Sequence, residues 1–294
     1  MNKQVDPSVV ELLFVVVNYQ SEDDLTGFLG RFEERPGLIR FAIADNSPEH
    51  SSPELAELIA ARSDVATFAT YPDNPGYFGA SSRLLRALEG QIEVGGAVVI
   101  TNIDLEFETD ELLAYVAKHR ERDPESRWIL SPDIVEDGLK MHLNPHRLDP
   151  SISPQQHLNR RLYKSDFWYG AIRTLRLLKL RFVSNEQSVS AAAGTTVSST
   201  YGAMFILGPG FFAVGGHIPE MPLFGEEYAI ARQAAELNVP IVFDPSLCVR
   251  HAKSRSTGLL SAGQRRARTV RSWQEYSKWQ PELAYGSMSW LVPS

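Results

Sequence analysis

At 294 residues, 43% of them hydrophobic and 22% charged, the chain suits one large α/β domain or two small ones, and it is long enough to fold without disulfides or a structural metal. Its single cysteine, Cys248, excludes an intrachain disulfide and fits a reducing compartment, and a net charge of −7 argues against a nucleic-acid partner. No apolar run approaches the roughly 18–20 residues that span a bilayer. Val9–Val17 is broken by Glu11 and lacks a small-residue cleavage site, so no signal peptide and a cytoplasmic location are expected.

Leu12–Val17 (LLFVVV) is a continuous apolar, β-branched run that suits a strand buried on both faces. Ser21 opens a helix pattern with Glu22, Asp23 and Asp24 in its first turn, where acids complement the helix dipole. Leu38–Ala44 reads as a second strand ending in the turn cluster Asp45-Asn46-Ser47-Pro48. Ser52 followed by Pro53 starts a helix running to about Arg62. Val65–Thr70 is a third strand; a Pro/Gly-rich loop, a helix over Ser81–Glu89 and a fourth strand at Ala97–Ile100 follow. Strand alternating with helix predicts a doubly wound, mostly parallel sheet. From His142 to Ser199 there is little strand signal. Patterning returns at Tyr201–Leu207, continues as a helix over Glu226–Glu236, and closes with two short strands, Ile241–Phe243 and Leu247–Arg250. Cys248 falls in that alternating run and reads as a core residue. Beyond about Gly258 the chain is polar and basic, suggesting a C-terminal helix with an irregular tail.

In open parallel sheets, ligands bind outside the carboxyl ends of the strands. Past successive predicted strands stand Asn18-Tyr19, Asp45-Asn46-Ser47, Asp73-Asn74-Pro75-Gly76-Tyr77-Phe78-Gly79 and Asn102-Ile103-Asp104. The loop after the third strand lacks the Gly-Lys-Ser/Thr of a P-loop, and the first strand does not lead into GxGxxG. A nucleotide pocket without ATPase or dinucleotide character is the expectation. Asn102 and Asp104, two residues apart at a strand end, can direct oxygens at one hard cation, which would bridge diphosphate oxygens; the plainer alternative is that Asp104 caps the following helix. Glu226-Glu227 opens a helix, where carboxylates ordinarily complement the dipole, but one of them facing the pocket could take a proton from an attacking hydroxyl. His251, at the end of the last core strand, could offer a neutral imidazole to a metal or simply be a hydrogen-bonded histidine.

In this order and spacing, VVVNYQS, ADNSP, NPGYFGASSR, TNIDLEF, YGAMFILGPGFFAVGGHIPEMPLFGEE and DPSLCVRHAKSRST resemble the family 2 glycosyltransferases, bacterial rhamnosyltransferase-like members especially. The resemblance implies a single GT-A domain, α/β, with a Rossmann-like mostly parallel sheet flanked by helices. That domain would span residues 1–257, with a nucleotide-binding half over about 1–130 and an acceptor half over 131–257 carrying a variable insertion at 142–199. A C-terminal helical extension would occupy 258–294. It implies that Asn18, Tyr19 and Asp45 line the nucleoside pocket and that Asn74, Gly76 and Gly79 shape the loop, with Arg83 nearby. Asp104 would bind Mg²⁺ or Mn²⁺, with Asn102 the weaker member of the pair and His251 completing the site. Gly202 and Ala203 would lie beneath the donor sugar. Glu227 would be the catalytic base, preceded by Glu226, in place of the family's more usual aspartate.

The implied activity is inverting transfer of a sugar from a UDP-, dTDP- or GDP-sugar to a glycan or lipid-linked glycan hydroxyl, in cell-surface polysaccharide or glycan synthesis. A sugar-phosphate nucleotidyltransferase would need a basic, glycine-rich loop after the first strand, and Asn18-Tyr19-Gln20-Ser21 offers none. A non-catalytic nucleotide-sugar-binding subunit would have lost Asp104, Glu227 or His251. Finally, residues 158–182 interleave Arg160, Arg161, Lys164, Arg173, Arg176, Lys179 and Arg181 with aromatic and aliphatic side chains. This segment is either a solvated basic helix or a peripheral contact with anionic membrane on the inner face of the plasma membrane, with Arg265, Arg266 and Arg268 as an alternative lipid contact.

Overall fold

A computed structural model describes residues 8–47, 52–136, 141–145, 171, 191–221, 225–252, 263 and 266–271. Apart from residue 171, the basic segment 158–182 lies outside the described residues, as do most of the insertion 142–199 and the tail beyond 271.

The first half alternates β1 (Ser8–Asn18), α1 (Glu22–Gly30), β2 (Ile39–Asp45), α2 (Pro53–Ala61), β3 (Val65–Thr70), α3 (Tyr77–Ala87) and β4 (Ile92–Thr101). The chain continues through β5 (Leu105–Glu106), α4 (Thr109–Arg122), β6 (Ile129–Glu136), β7 (Met141–His142), β8 (Thr195–Val197) and β9 (Met204–Leu207). It ends in α5 (Pro209–Ala213), α6 (Glu226–Glu236) and β10 (Ile241–His251). Residues 266–271 are helical, in line with the expected C-terminal helix.

Ten strands form one sheet in the order β3-β2-β1-β4-β9-β6-β10-β5, with β7 on β6 and β8 on β10. Strands β3, β2, β1 and β4 are parallel; β9 runs antiparallel between β4 and β6, and β6 and β10 are again parallel. The sheet is therefore mixed, through the insertion of β9. Apolar residues of β1 alternate between two cores. Leu13 and Val15 join Phe78, Leu84, Phe211 and Ile230 on one face, while Leu12, Phe14 and Val16 join Phe28, Phe41, Leu112 and Tyr115 on the other. A strand buried on both faces needs the unbroken apolar run seen in the sequence. Phe14 has no exposed surface and stacks on Phe41 at 5.2 Å. Among the described residues, no helix is long and apolar enough to cross a membrane.

Three local expectations differ from the fold. α3 begins at Tyr77, four residues before Ser81, because Gly76 adopts a positive φ of 88° and turns the chain into the helix there. Ser81 lies inside α3, where its Oγ donates back to the Tyr77 carbonyl at 2.8 Å instead of capping. The two expected C-terminal strands are one, β10, whose pairing with β6 is irregular between Phe243 and Cys248. Cys248 is exposed, not core: on β10 it alternates with the buried Leu247 and Val249 and takes the outward position.

Candidate active site

The parallel strands deliver their C-terminal ends to one edge of the sheet, and the order reverses between β1 and β4, which makes a crevice there. Asn18 and Asp45 are register partners at the ends of β1 and β2, and both are buried. Asn18 Nδ2 donates to Asp45 Oδ1 at 3.0 Å, and the same oxygen accepts from the Ser47 hydroxyl at 2.6 Å and backbone N–H at 3.1 Å. Asn18 Oδ1 in turn accepts from the Ser21 N–H at 3.2 Å, so the two loops are tied together. Between them stands half-buried Tyr19, with the guanidinium of Arg268 5.6 Å from its ring centroid.

The loop from β3 to α3 is held from below by Asn46, whose Nδ2 donates to the Gly76 carbonyl at 3.2 Å and to Asn74 Oδ1 at 3.4 Å. Asn74 itself adopts φ 43°. Gly79 donates its N–H to the Met221 carbonyl at 3.0 Å, and a Cβ there would come within 2.9 Å of Pro75 Cβ. Arg83 donates to both oxygens of Asp73, at 2.9 and 3.2 Å, and lies over the Tyr71 ring at 5.3 Å. It braces this loop.

The remaining site residues come from the antiparallel additions. β9 aligns Met204 with Thr101, and the Asn102 N–H donates to the Ala203 carbonyl at 2.9 Å, which brings Gly202 and Ala203 beside the end of β4. β5 pairs with the end of β10 so that Leu105 meets His251, and the Ala252 N–H donates to the Asp104 carbonyl at 3.1 Å. Arg31, at the end of α1, donates to the Ile103 carbonyl at 3.4 Å. As a result His251 Nε2 lies 3.4 Å from Asp104 Oδ1, yet among the described residues neither atom finds a hydrogen-bond partner, nor does His251 Nδ1, and all three atoms are buried. Close polar atoms left unbonded in a buried place suit a shared cation. Among the described residues no cluster of three or more His, Cys, Asp or Glu side chains has metal-binding geometry, and Asp104 and His251 stand as a pair.

Glu226 and Glu227 open α6 after Gly225, at φ 122°. Glu226 is buried. The Glu227 carboxylate packs against Gly202, where a Cβ would lie 2.9 Å from Glu227 Cδ. Burial raises the Glu227 pKa, opposed in part by hydrogen bonds from its own N–H and that of Gly202. The Tyr201 phenol is pushed up to about 12 by burial and by the charges of Glu227, Glu136 and Asp104, and its ring lies 6.2 Å from that of His251. Burial, Glu226, Asp104 and Glu227 together drive the Tyr77 phenol well above its usual range. The two tyrosines thus mark where these acids converge.

Sequence reasoning did not single out Tyr77 or Tyr201. Tyr77 follows the loop glycine Gly76 and Tyr201 precedes Gly202, but an aromatic beside a glycine is too common to be a signal. Arg268, in the stretch named as an alternative lipid contact, lies over the Tyr19 ring.

No protein-family model matches the chain, and no curated protein sequence does. Solved structures do. GalNAc-T7, crystallised with UDP, GalNAc and Mn²⁺, superposes with a TM-score of 0.51 at 15% identity over 84% of this chain and 44% of that one. S. aureus TarS 1–349 gives a TM-score of 0.50 at 11% identity over 93% of this chain and 73% of that one. A longer S. aureus TarS chain gives 0.51 at 12%, over 83% and 37%. The fold is GT-A. The chain spans less than half the length of GalNAc-T7, and identities this low carry the fold alone. The edge just described is the carboxyl-terminal edge of the parallel half, where Asn18 and Asp45 end β1 and β2.

Proposed function

We propose that the chain is a metal-dependent, inverting glycosyltransferase that moves a sugar from a nucleoside-diphosphate donor to a hydroxyl of a glycan or lipid-linked glycan. The observation that carries this reading is the unbonded Asp104–His251 pair, 3.4 Å apart at the sheet edge where Asn18 and Asp45 also end. The crystal structure of GalNAc-T7 with UDP, GalNAc and Mn²⁺ supports it by likeness of fold.

Mg²⁺ or Mn²⁺ would be held by Asp104 and His251, with Asn102 adjacent, and would supply neutralisation of charge on the leaving diphosphate. Asn18, Tyr19 and Asp45 bind the nucleoside, and the loop of Asn74, Gly76 and Gly79, braced by Arg83, closes one wall. Gly202 and Ala203 give the donor sugar a floor without side-chain bulk. Glu227 takes the proton from the acceptor hydroxyl as its oxygen bonds to the anomeric carbon. The bond from that carbon to the diphosphate oxygen breaks on the opposite face, its electron pair leaving with the nucleoside diphosphate, and the configuration inverts. Burial suits Glu227 to this role because it makes the carboxylate more basic. Rhamnosyl transfer, surface-glycan synthesis and contact of residues 158–182 with anionic lipid are finer proposals resting on the family resemblance and the basic pattern.

The test is nucleoside diphosphate release from a panel of UDP-, dTDP- and GDP-sugars by the purified protein with Mn²⁺. Asp104→Ala is expected to lose turnover and metal-dependent donor binding while its circular dichroism is unchanged. Near wild-type turnover by this variant, after EDTA stripping and metal restoration, would overturn the metal assignment.

A further inference from the structure

Tyr77 is the first residue of α3, fixed at its backbone by the turn at Gly76 and at its ring by packing on the core beside Phe78, 5.7 Å between centroids. Its hydroxyl is buried and has no hydrogen-bond partner among the described residues. A buried donor left unmade costs stability, so a folded protein rarely keeps one without a use for it.

The charged groups that act on this phenol are Glu226, from α6, Asp104, past β4, and Glu227, from α6. Of these, Glu227 accepts from the N–H groups of residues 202 and 227, and Asp104 faces His251. The phenol is thus a buried O–H donor without a partner among the described residues and within electrostatic reach of three acids, and such a hydroxyl suits an incoming oxygen that carries negative charge or lone pairs. Carboxylates cannot serve there, because they would repel a diphosphate and cannot donate.

We propose that Tyr77 contacts the donor directly, its phenolic O–H donating to an acceptor oxygen of the bound nucleotide-sugar. The inference rests on the glycosyltransferase reading and deepens it. The oxygen belongs either to the diphosphate or to a hydroxyl of the donor sugar, and these two sources are separable by experiment.

Tyr77→Phe removes only the hydroxyl. Because that hydroxyl lacks a partner among the described residues, the ligand-free variant is expected to keep or exceed the wild-type Tm, whereas a structural tyrosine would lose stability on the same change. Donor affinity is read by calorimetry with UDP, dTDP and GDP, each with Mn²⁺, and with the nucleotide-sugar that the wild type turns over best. Affinity for the nucleotide-sugar and the corresponding kcat/KM are expected to fall about tenfold, the value of one hydrogen bond. An equal loss for the nucleoside diphosphate assigns the contact to the diphosphate, and a loss confined to the nucleotide-sugar assigns it to the sugar. Unchanged affinity and turnover overturn the proposal, and so does a lowered Tm with unchanged affinity. A wild-type protein that binds none of these ligands removes the parent reading and this inference with it, an outcome distinct from a wild type that binds and a variant that binds equally well.

Discussion

The Glu227 carboxylate keeps its direction because residue 202 has no side chain: a Cβ there would sit 2.9 Å from Glu227 Cδ. Gly202→Ala therefore displaces the proposed base and is expected to lower turnover with little effect on folding, since the carboxylate can swing aside. Glu227→Gln is expected to lose roughly 10²–10⁴ in kcat, the usual worth of a positioned general base, while donor affinity is retained. Glu226→Gln should be milder, and the reverse ranking would move the base to Glu226. Burial raises the Glu227 pKa, so the base is ionised only above a raised value. The acidic limb of the wild-type rate profile should then lie above the ordinary carboxylate range. The same sign governs stability: a raised folded-state pKa stabilises below the unfolded value and loses that contribution as pH rises through the folded one. Glu227→Gln should accordingly be no less stable than wild type at pH 7, measured by urea unfolding. The places of Asn18 and Asp45 at strand ends were legible because each closes an apolar β-branched run, and that of His251 because it closes the last strand-like stretch. Tyr77 was not, because an aromatic in a Gly/Pro loop has the same signature whether its hydroxyl faces a core or a cleft.

β10 shows at the level of an element why the second half of the fold was harder to read. Asp244-Pro245-Ser246 looks like a turn between two strands, and in isolation it would be one. In the fold, Asp244 is fully buried and turned inward, with Lys118 Nζ 2.7 Å and His119 Nε2 3.1 Å from its Oδ2, and the Ser246 N–H donating to Oδ1 at 3.0 Å. The Tyr115 hydroxyl donates to its backbone carbonyl at 3.2 Å. These contacts tie α4 to β10 and let one strand run through an irregularity. Likewise β9 pairs antiparallel with both β4 and β6, which no local pattern announces. Burial would raise the Asp244 pKa, but hydrogen bonds from Lys118 and Ser246 outweigh it and hold the carboxyl at about 2. His119, its pKa lowered by burial against the pull of Asp244, is the neutral member. A depressed aspartate contributes stability above its unfolded pKa of about 3.9 and loses it as pH falls toward the folded value, on the order of 2 kcal/mol after allowing for the exposure of Lys118. Asp244→Ala is expected to cost about 3 kcal/mol at pH 7, as for other broken buried charge networks. It should also flatten the loss of stability between pH 4 and pH 2. Urea unfolding across that range checks both, and an unchanged acid profile in the variant would place the acid sensitivity elsewhere.

On the scale of the whole molecule, the chain's last described helical residues return to its first strand. Arg268 stands over Tyr19, one residue past Asn18 at the end of β1, so the helical stretch 266–271 reaches the side proposed for the nucleoside. That edge carries Asp45 at the end of β2 and, about the Tyr77 phenol, Glu226, Asp104 and Glu227, whereas a nucleoside diphosphate is itself an anion. A cation held at the rim offsets part of this repulsion and raises the local ligand concentration. Among the described residues, Arg83 is committed to Asp73 on the other wall. Arg268→Ala removes both the charge and the stacking on Tyr19. A cation–π contact at a partly exposed site is worth about 0.5–1 kcal/mol, so nucleoside diphosphate affinity should fall about three- to fivefold, and the loss should shrink at high salt. Arg268→Lys should recover the charge but less of the stacking, since the ammonium lacks the planar face. The alternative role of this stretch, docking on anionic lipid, makes the opposite prediction. Under it, Arg268→Ala would weaken co-sedimentation with anionic vesicles at low salt and leave calorimetric nucleotide affinity untouched. That pair of results would detach the C-terminal segment from the active site and assign it to the membrane surface.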